Sequence, residues 1–96
     1  MFGKRKQFRV KTNFRVNWNV EGESLKGEGT VSNMSIDGME MIINRTFKPY
    51  KGDVFAIELA VGETIPLPSK RVKLMWSKEI LKDGIECVQC GLLFLK

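Results

Sequence analysis

The feature that most constrains the fold is a strict alternation of apolar and polar residues in short runs. In FRVNWNV, residues 14–20, Phe14, Val16 and Trp18 fall on one face of an extended chain, and polar side chains fall on the other. A period of two is typical of a β-strand with one face in the core and one in water. No segment shows the apolar stripe of an amphipathic helix. The strand is therefore the building unit of this chain.

Five further runs predict strands, and turn signals interrupt the chain between them. These runs cover residues 25–34, 39–43, 54–61, 70–78 and 85–95. The turn signals include Glu21-Gly22, the PYKGD segment and the Asp83-Gly84 pair of a hairpin turn. Strands separated by turns about every 8 to 12 residues indicate an all-β domain, either a barrel or a sandwich.

Length and composition indicate one small domain that lies outside the membrane. The chain has 96 residues, and its 43% hydrophobic content is enough for one modest core. No apolar run approaches the roughly 20 residues that a membrane helix needs. The basic N-terminus is not followed by the apolar segment of a secretory signal. We therefore expect a cytoplasmic protein without membrane insertion.

The positive charge is concentrated at the N-terminus. Six basic residues and no acidic residue fall within residues 1–16, namely Lys4, Arg5, Lys6, Arg9, Lys11 and Arg15. The whole chain has 16 basic and 11 acidic residues, so the rest has 10 and 11 and a net charge of −1. This pattern predicts a flexible basic arm over 1–13 and a folded body over 14–96. Such an arm attracts phosphate, nucleic acid or an acidic membrane surface.

The two cysteines form a C-x-x-C pair, which we interpret as structural. A zinc site needs four ligands, and the chain has no other Cys and no His. Cys87 and Cys90 fall within a predicted strand, where positions three apart face opposite sides. A disulfide is therefore not expected, and both side chains are predicted to be buried. No metal site is predicted.

Two short motifs could bind an anion or a base. In RKQFR, Arg5 and Arg9 carry planar guanidinium groups that fit a phosphate or the O6/N7 edge of guanine. In NMSIDG, Asn33 and Ser35 lie two apart and point the same way in an extended chain. Gly38 could adopt a positive φ or let a ligand approach the backbone. Taken alone, the first motif could be a disordered basic tail and the second a β-turn.

Together the motifs resemble the PilZ family. The pattern R-x-x-x-R, then a strand, then N-x-S-x-x-G within a six-stranded β domain covers nearly the whole chain. FRVKTNFRV is similar to the start of the family's first strand, and VSNMSIDGMEM to its passage from the second strand to the third. VKLMWSK resembles the fifth strand, and CGLLFL resembles the closing strand, with Gly91 before an apolar run. The resemblance implies a six-stranded antiparallel β-barrel with little or no helix.

PilZ domains are bacterial cytoplasmic receptors for cyclic di-GMP, so the resemblance implies a binding module rather than an enzyme. Arg5 and Arg9 would clamp a guanine and the phosphates. Asn33 would read a guanine edge, Ser35 would hydrogen-bond guanine or phosphate, and Gly38 would give the turn its conformation. Lys4 stands where an Arg in the family favours an intercalated dimer of the nucleotide. Lys4 therefore leaves the number of bound nucleotides open.

Trp76 is a further candidate residue of the site. Its ring is a candidate stacking surface for a base, but Val72 and Leu74 share its face in a regular strand. The alternation therefore favours a core position for Trp76. Trp18, between Val16 and Val20 on one face, is assigned to the core.

We therefore predict a cyclic di-GMP receptor, not an enzyme, whose arm becomes ordered on nucleotide binding and which signals through a protein partner. The absence of His argues against acid–base catalysis, and no cofactor is expected. One alternative is a PilZ-like adaptor that binds protein without nucleotide. Another is a small barrel that binds single-stranded nucleic acid. Nucleic acid is disfavoured because the body is slightly acidic and most aromatic residues fall on apolar strand faces.

Overall fold

The computed structural model describes residues 9–44 and 48–96, and these residues form six β-strands and no helix. The strands are β1 (Val10–Val20), β2 (Lys26–Met34), β3 (Gly38–Asn44), β4 (Val54–Leu59), β5 (Arg71–Lys82) and β6 (Ile85–Phe94). Within the described ranges, no helix is long and apolar enough to span a membrane.

The strands close into a barrel in the order β1-β2-β3-β6-β5-β4, and β4 pairs again with β1. Every pairing is antiparallel. The predicted six-stranded antiparallel barrel is therefore confirmed. Closure leaves β3, β6 and β5 as three consecutive strands of one wall, which carries most of the groove described below.

The core lies inside the barrel and follows from the alternation of each strand. In β1, Phe14, Val16, Trp18 and Val20 are buried and their neighbours are exposed. The Trp18 and Phe55 rings pack with their centroids 5.5 Å apart and their planes tilted by 41°. Burying each large apolar side chain contributes about 1.5–3 kcal/mol, so this inner face dominates stability.

Two strands extend four residues beyond their predicted limits, β1 at its start and β5 at its end. β1 begins at Val10, inside the segment 1–13 that the charge pattern assigns to the arm, and its register with β2 shifts between Lys11 and Phe14. β5 continues to Lys82 because it pairs with β6 up to the hairpin turn. In that turn Asp83 has φ 54° and Gly84 has φ 77°. Positive φ at both central residues is the two-residue hairpin geometry that Asp-Gly favours.

Trp76 is not in the core, so the favoured prediction for this side chain was wrong. Leu74 pairs with Leu92 but Trp76 pairs with Gly91, which places Met75 as the extra residue of a β-bulge. The extra residue reverses the alternation, so Val72 and Leu74 face the core while Trp76 faces outward and is 41% exposed. A regular period of two cannot reveal such an insertion.

Both cysteines are buried and neither is in a disulfide, as predicted. Cys90 pairs with Met41 across β3 and β6 and belongs to the core. Burial raises the pKa of the Cys90 thiol to about 12. In the described part of the chain, no group of three or more His, Cys, Asp or Glu side chains is placed to hold a metal ion.

Candidate functional site

A groove of about 310 Å³ crosses the outer wall of β3, β6 and β5, next to the loop between β2 and β3. Its volume lies at the lower end of the range for small-molecule sites. The described residues that line it come from the start of β1, the β2–β3 loop and the three wall strands. They are Arg9, Ser35, Asp37, Gly38, Met39, Glu40, Met75, Trp76, Gly91, Leu92 and Leu93.

The NMSIDG segment forms the connection between β2 and β3 at one end of the groove. The Ser35 backbone N–H donates to the Gly38 carbonyl at 2.8 Å. The Ser35 hydroxyl oxygen lies 3.3 Å from the N–H groups of both Asp37 and Gly38 and accepts from them. The Phe94 N–H donates to the Asp37 carbonyl at 2.8 Å, which ties the loop to β6. Ser35 therefore holds the loop in shape and also faces the groove.

Gly38 is needed for close packing rather than for an unusual backbone conformation. The positive-φ glycines of the described chain are Gly22, Gly52, Gly62 and Gly84, so of the two possibilities given for Gly38 a positive φ is not found. A Cβ on Gly38 would overlap the carbonyl oxygen of Leu92 on β6. The absence of a side chain is what lets β3 begin directly against β6 at the groove.

Arg9 stands immediately before β1 and points its guanidinium group at β2. Its Nη1 donates to Oδ1 of Asn33 at 2.8 Å. The Asn33 Nδ2 donates to Oε1 of Glu40 at 3.0 Å, and Nε2 of Gln89 donates to the same oxygen at 2.9 Å. One hydrogen-bonded chain therefore links an arginine, two amides and a carboxylate across β2, β3 and β6.

Trp76 forms the far wall of the groove. Its indole lies over Gly91, where any Cβ would overlap the ring. Met75 and Leu93 beside it are each 40% exposed, so a flat aromatic face and two apolar side chains are open to solvent at one place. An exposed indole next to hydrogen-bonding groups is suited to stack on a purine.

The described lining is not basic by itself. Arg9 is its one cationic side chain, while Asp37 and Glu40 are carboxylates. A ligand with two phosphates would meet a weakly acidic wall unless further cations approached. The sequence places such cations in the basic segment before Arg9. The wall alone therefore does not complement the charge of such a ligand, but the wall and the basic segment together do.

A larger concavity of about 1100 Å³ lies elsewhere, on the outside of β1, β2 and β4. Among the described residues its charged lining consists of Glu23, Glu28, Glu58 and Lys26, so acids outnumber bases there by three to one. This lining disfavours an anionic ligand, and none of the described motif residues contributes to it. The smaller groove is the better candidate site.

The structure brings four of the seven candidate residues to one groove, namely Arg9, Ser35, Gly38 and Trp76. Asn33 does not line the groove but bonds to two residues that do, Arg9 and Glu40. Arg5 and Lys4, with the proposed flexibility of the arm, lie outside the described residues.

Among the described residues, sequence reasoning assigned no site role to the polar side chains of Glu40 and Gln89, and it used Gly91 only as part of the closing strand. One signal was available for Glu40, since it lies two residues after Gly38 in a strand and so shares its face. Gly91 reaches the groove, and Gln89 reaches Glu40, only through the pairing of β3 with β6, which no local pattern reveals.

No protein-family model and no curated protein matches the sequence. Among solved structures, the chain is similar to the PilZ domain of YcgR from Escherichia coli, which was solved with c-di-GMP. The TM-score is 0.69 at 14% identity, and the match covers 98% of this chain and 79% of that chain. The barrel described above therefore has a PilZ-like fold.

Proposed function

We propose that this protein is a receptor for cyclic di-GMP. The observation that carries the proposal is the 2.8 Å hydrogen bond from Arg9 to Asn33, which joins the two sequence motifs beside the groove. The PilZ-like fold supports it, because the similar domain of YcgR was solved with that nucleotide. A binding module of this kind has no chemical step to perform, and we propose no catalytic activity.

The geometry suggests a role for each part of the groove. Arg9 would offer its free N–H groups to a phosphate or to the O6/N7 edge of guanine. Trp76 would stack on a base. Ser35 would donate its hydroxyl proton, which the Gly38 carbonyl accepts at 3.4 Å without ligand, to a phosphate or base oxygen. Gly38 would keep the groove floor open. Holding Arg9 against Asn33 before the ligand arrives reduces the entropy that binding must overcome.

The N-terminal arm would supply the missing positive charge. We propose that Arg5, with Lys4, closes over the nucleotide from the side opposite the wall, and that this ordering changes the surface seen by a protein partner. Division into an arm over 1–13 and a barrel over 14–96 belongs to the same proposal, with the last residues of the arm, from Val10 on, already paired in β1. The setting would be the cytoplasm of a bacterial cell.

Isothermal titration calorimetry with cyclic di-GMP tests the proposal, with GMP and cyclic di-AMP as controls. A saturating, guanine-selective signal is expected, and its molar ratio gives the number of bound nucleotides. A flat trace from folded protein would overturn the receptor proposal. It would leave the adaptor reading, in which the barrel binds a protein partner without nucleotide.

Arg9→Ala tests the site itself. Loss of a hydrogen-bonding charge is expected to weaken cyclic di-GMP binding at least about tenfold, with the fold retained because Arg9 is exposed. Arg15→Ala is the matched control, since Arg15 is an exposed β1 residue whose partner is Glu63 at 3.8 Å. If Arg9→Ala and Arg15→Ala both bind like the wild type, the groove is not the nucleotide site.

A further inference from the structure

Glu40 is one of two carboxylates among the described lining of the groove, and its charge opposes the proposed anionic ligand. It lies on β3 opposite Asn33 of β2 and Gly91 of β6, in the middle of the wall. It lines the groove and is half-buried. A carboxylate beside a doubly charged phosphodiester ring raises the energy of the complex, unless it accepts hydrogen bonds from the ligand.

The hydrogen bonds of Glu40 leave one of its oxygens for a ligand. Oε1 accepts from Asn33 Nδ2 at 3.0 Å and from Gln89 Nε2 at 2.9 Å. Among residues 9–44 and 48–96, no donor is bonded to Oε2. The two amides hold the carboxylate in place at one oxygen, and the other oxygen is an unused acceptor at the groove.

The same contacts settle the orientation of Asn33. Because its NH2 group donates to Glu40, its carbonyl must face Arg9, and this is the direction of the 2.8 Å bond. The Asn33 carbonyl accepts one of the two hydrogen bonds that it can take, one of its two N–H bonds is used, and Asn33 does not line the groove. Asn33 is therefore less available to read a base than the resemblance implies, whereas Glu40 is available.

Guanine and adenine differ at the edge that a carboxylate can read. Guanine presents two neighbouring donors there, the N1–H and the N2 amino group, whereas adenine presents an acceptor at N1. An ionised carboxylate only accepts hydrogen bonds, so it matches guanine and repels the N1 lone pair of adenine. A base-reading pair of this kind discriminates strongly between bases.

We propose that Glu40 is a specificity-determining residue that selects guanine: its Oε2, which has two lone pairs, accepts hydrogen bonds from the N1–H and the N2 amino group of the base. The inference rests on the proposed function and deepens it by naming the group that reads the base. Asn33 and Gln89 are positioning residues that hold the Glu40 carboxylate. The favourable contact with the base offsets the repulsion between Glu40 and the phosphates.

Calorimetry with three cyclic dinucleotides tests this assignment: cyclic di-GMP, cyclic di-AMP and cyclic di-inosine monophosphate. The base of the inosine compound, hypoxanthine, differs from guanine only in lacking the N2 amino group. The wild type is expected to bind the inosine compound about tenfold more weakly than cyclic di-GMP and to bind cyclic di-AMP more weakly still. This comparison needs no variant and so does not depend on how well a mutant folds.

Glu40→Gln isolates the groove-facing atom. The glutamine carbonyl can still accept from Asn33 and Gln89, so its NH2 group must face the groove and oppose the guanine donors. Cyclic di-GMP binding is expected to fall about tenfold to a hundredfold, and the difference between cyclic di-GMP and the inosine compound should shrink to nearly nothing. Glu58→Gln is the matched control, because Glu58 is exposed on β4 and outside the groove.

The outcomes separate this inference from the proposed function. Removing a negative charge alone favours an anion, so weaker binding by Glu40→Gln but not Glu58→Gln cannot arise from net charge. Suppose that the wild type binds cyclic di-GMP and that Glu40→Gln binds it equally tightly, with the same preference for it over the inosine compound. The role of Glu40 is then refuted while the receptor proposal stands. If the wild type binds no cyclic dinucleotide, both fall together.

Discussion

The two tryptophans of this barrel stand in the same local arrangement and face opposite sides of it. Trp18 on β1 lies opposite Gly27 of β2, and Trp76 on β5 lies opposite Gly91 of β6. In both pairs a Cβ on the glycine would collide with the indole. Yet Trp18 is 5% exposed in the core, while Trp76 is 41% exposed beside the groove.

The difference shows that a tryptophan over a cross-strand glycine is a packing unit without a fixed role. On the inner face, the unit fills the barrel and contributes stability. On the outer face, the same unit presents a flat aromatic surface to solvent. One inserted residue, Met75, decides the face of Trp76, because the bulge moves the residue after it to the other side of the sheet.

Replacing each tryptophan by alanine gives the largest contrast. Trp18→Ala is expected to lower the free energy of unfolding by about 3–5 kcal/mol, because it leaves a cavity beside Phe55. Trp76→Ala is expected to cost about 1 kcal/mol in stability and to weaken cyclic di-GMP binding by about 1–3 kcal/mol through lost stacking.

Urea denaturation measures the first effect and calorimetry the second. If Trp18→Ala is unfolded in water, Trp18→Phe serves in its place. It is expected to lower the free energy of unfolding by a smaller amount. Equal stability losses for the two alanine variants would contradict the assignment of Trp18 to the core and Trp76 to the surface.

Adding one methyl group to each glycine sharpens the comparison. Gly27→Ala is expected to destabilise the barrel by about 1–3 kcal/mol, because the buried Trp18 ring cannot move away. Gly91→Ala is expected to cost less, about 1 kcal/mol as for loss of the Trp76 ring, because the exposed ring can turn toward solvent.

Binding should show the reverse order for the same two variants. Displacing Trp76 from the wall is expected to weaken cyclic di-GMP binding about tenfold in Gly91→Ala, while Gly27→Ala binds normally once folded. Calorimetry on both variants measures their affinities for cyclic di-GMP. Normal binding by Gly91→Ala would mean that the position of the indole over β6 is irrelevant to the ligand.

The cysteines extend the comparison with the smallest effect at neutral pH. Cys90 is 0% exposed and Cys87 is 7% exposed, so iodoacetamide should modify both slowly. Cys90 should be the slower of the two. Mass spectrometry of each peptide gives the two rates. Faster modification of Cys90 in native protein would contradict its place in the core.

Cys90 also predicts a pH dependence of stability. Its pKa rises from the ordinary 9.0 to about 12 in the folded barrel because of burial. Between these values the unfolded chain releases a proton that the folded chain keeps. The stability contribution is therefore complete below pH 9.0 and is lost as the pH rises toward about 12. Denaturation midpoints of the wild type and Cys90→Ala across this range should converge as the pH rises.

Much of the fold was predictable because it rests on local patterns. Alternation in FRVNWNV placed Phe14, Val16 and Trp18 correctly, and Asp83-Gly84 predicted a hairpin turn whose backbone angles agree. The candidate site was predictable in part, since Arg9, Ser35 and Gly38 are recognisable as motif residues and line one groove. Trp76 was placed incorrectly because a bulge leaves no mark in the alternation.

The sequence by itself determined the number of strands and their succession along the chain, the inner face of β1, the burial of both cysteines and the concentration of positive charge within residues 1–16. These properties depend on neighbouring residues, whose period and turn chemistry can be read directly. Tertiary structure alone decided which way Trp76 faces and that the packing of β3 against β6 leaves no room for a side chain at Gly38. It also decided that Asn33 and Gln89 both donate to Glu40. Each of these depends on the register between strands, which is set by the closure of the whole barrel.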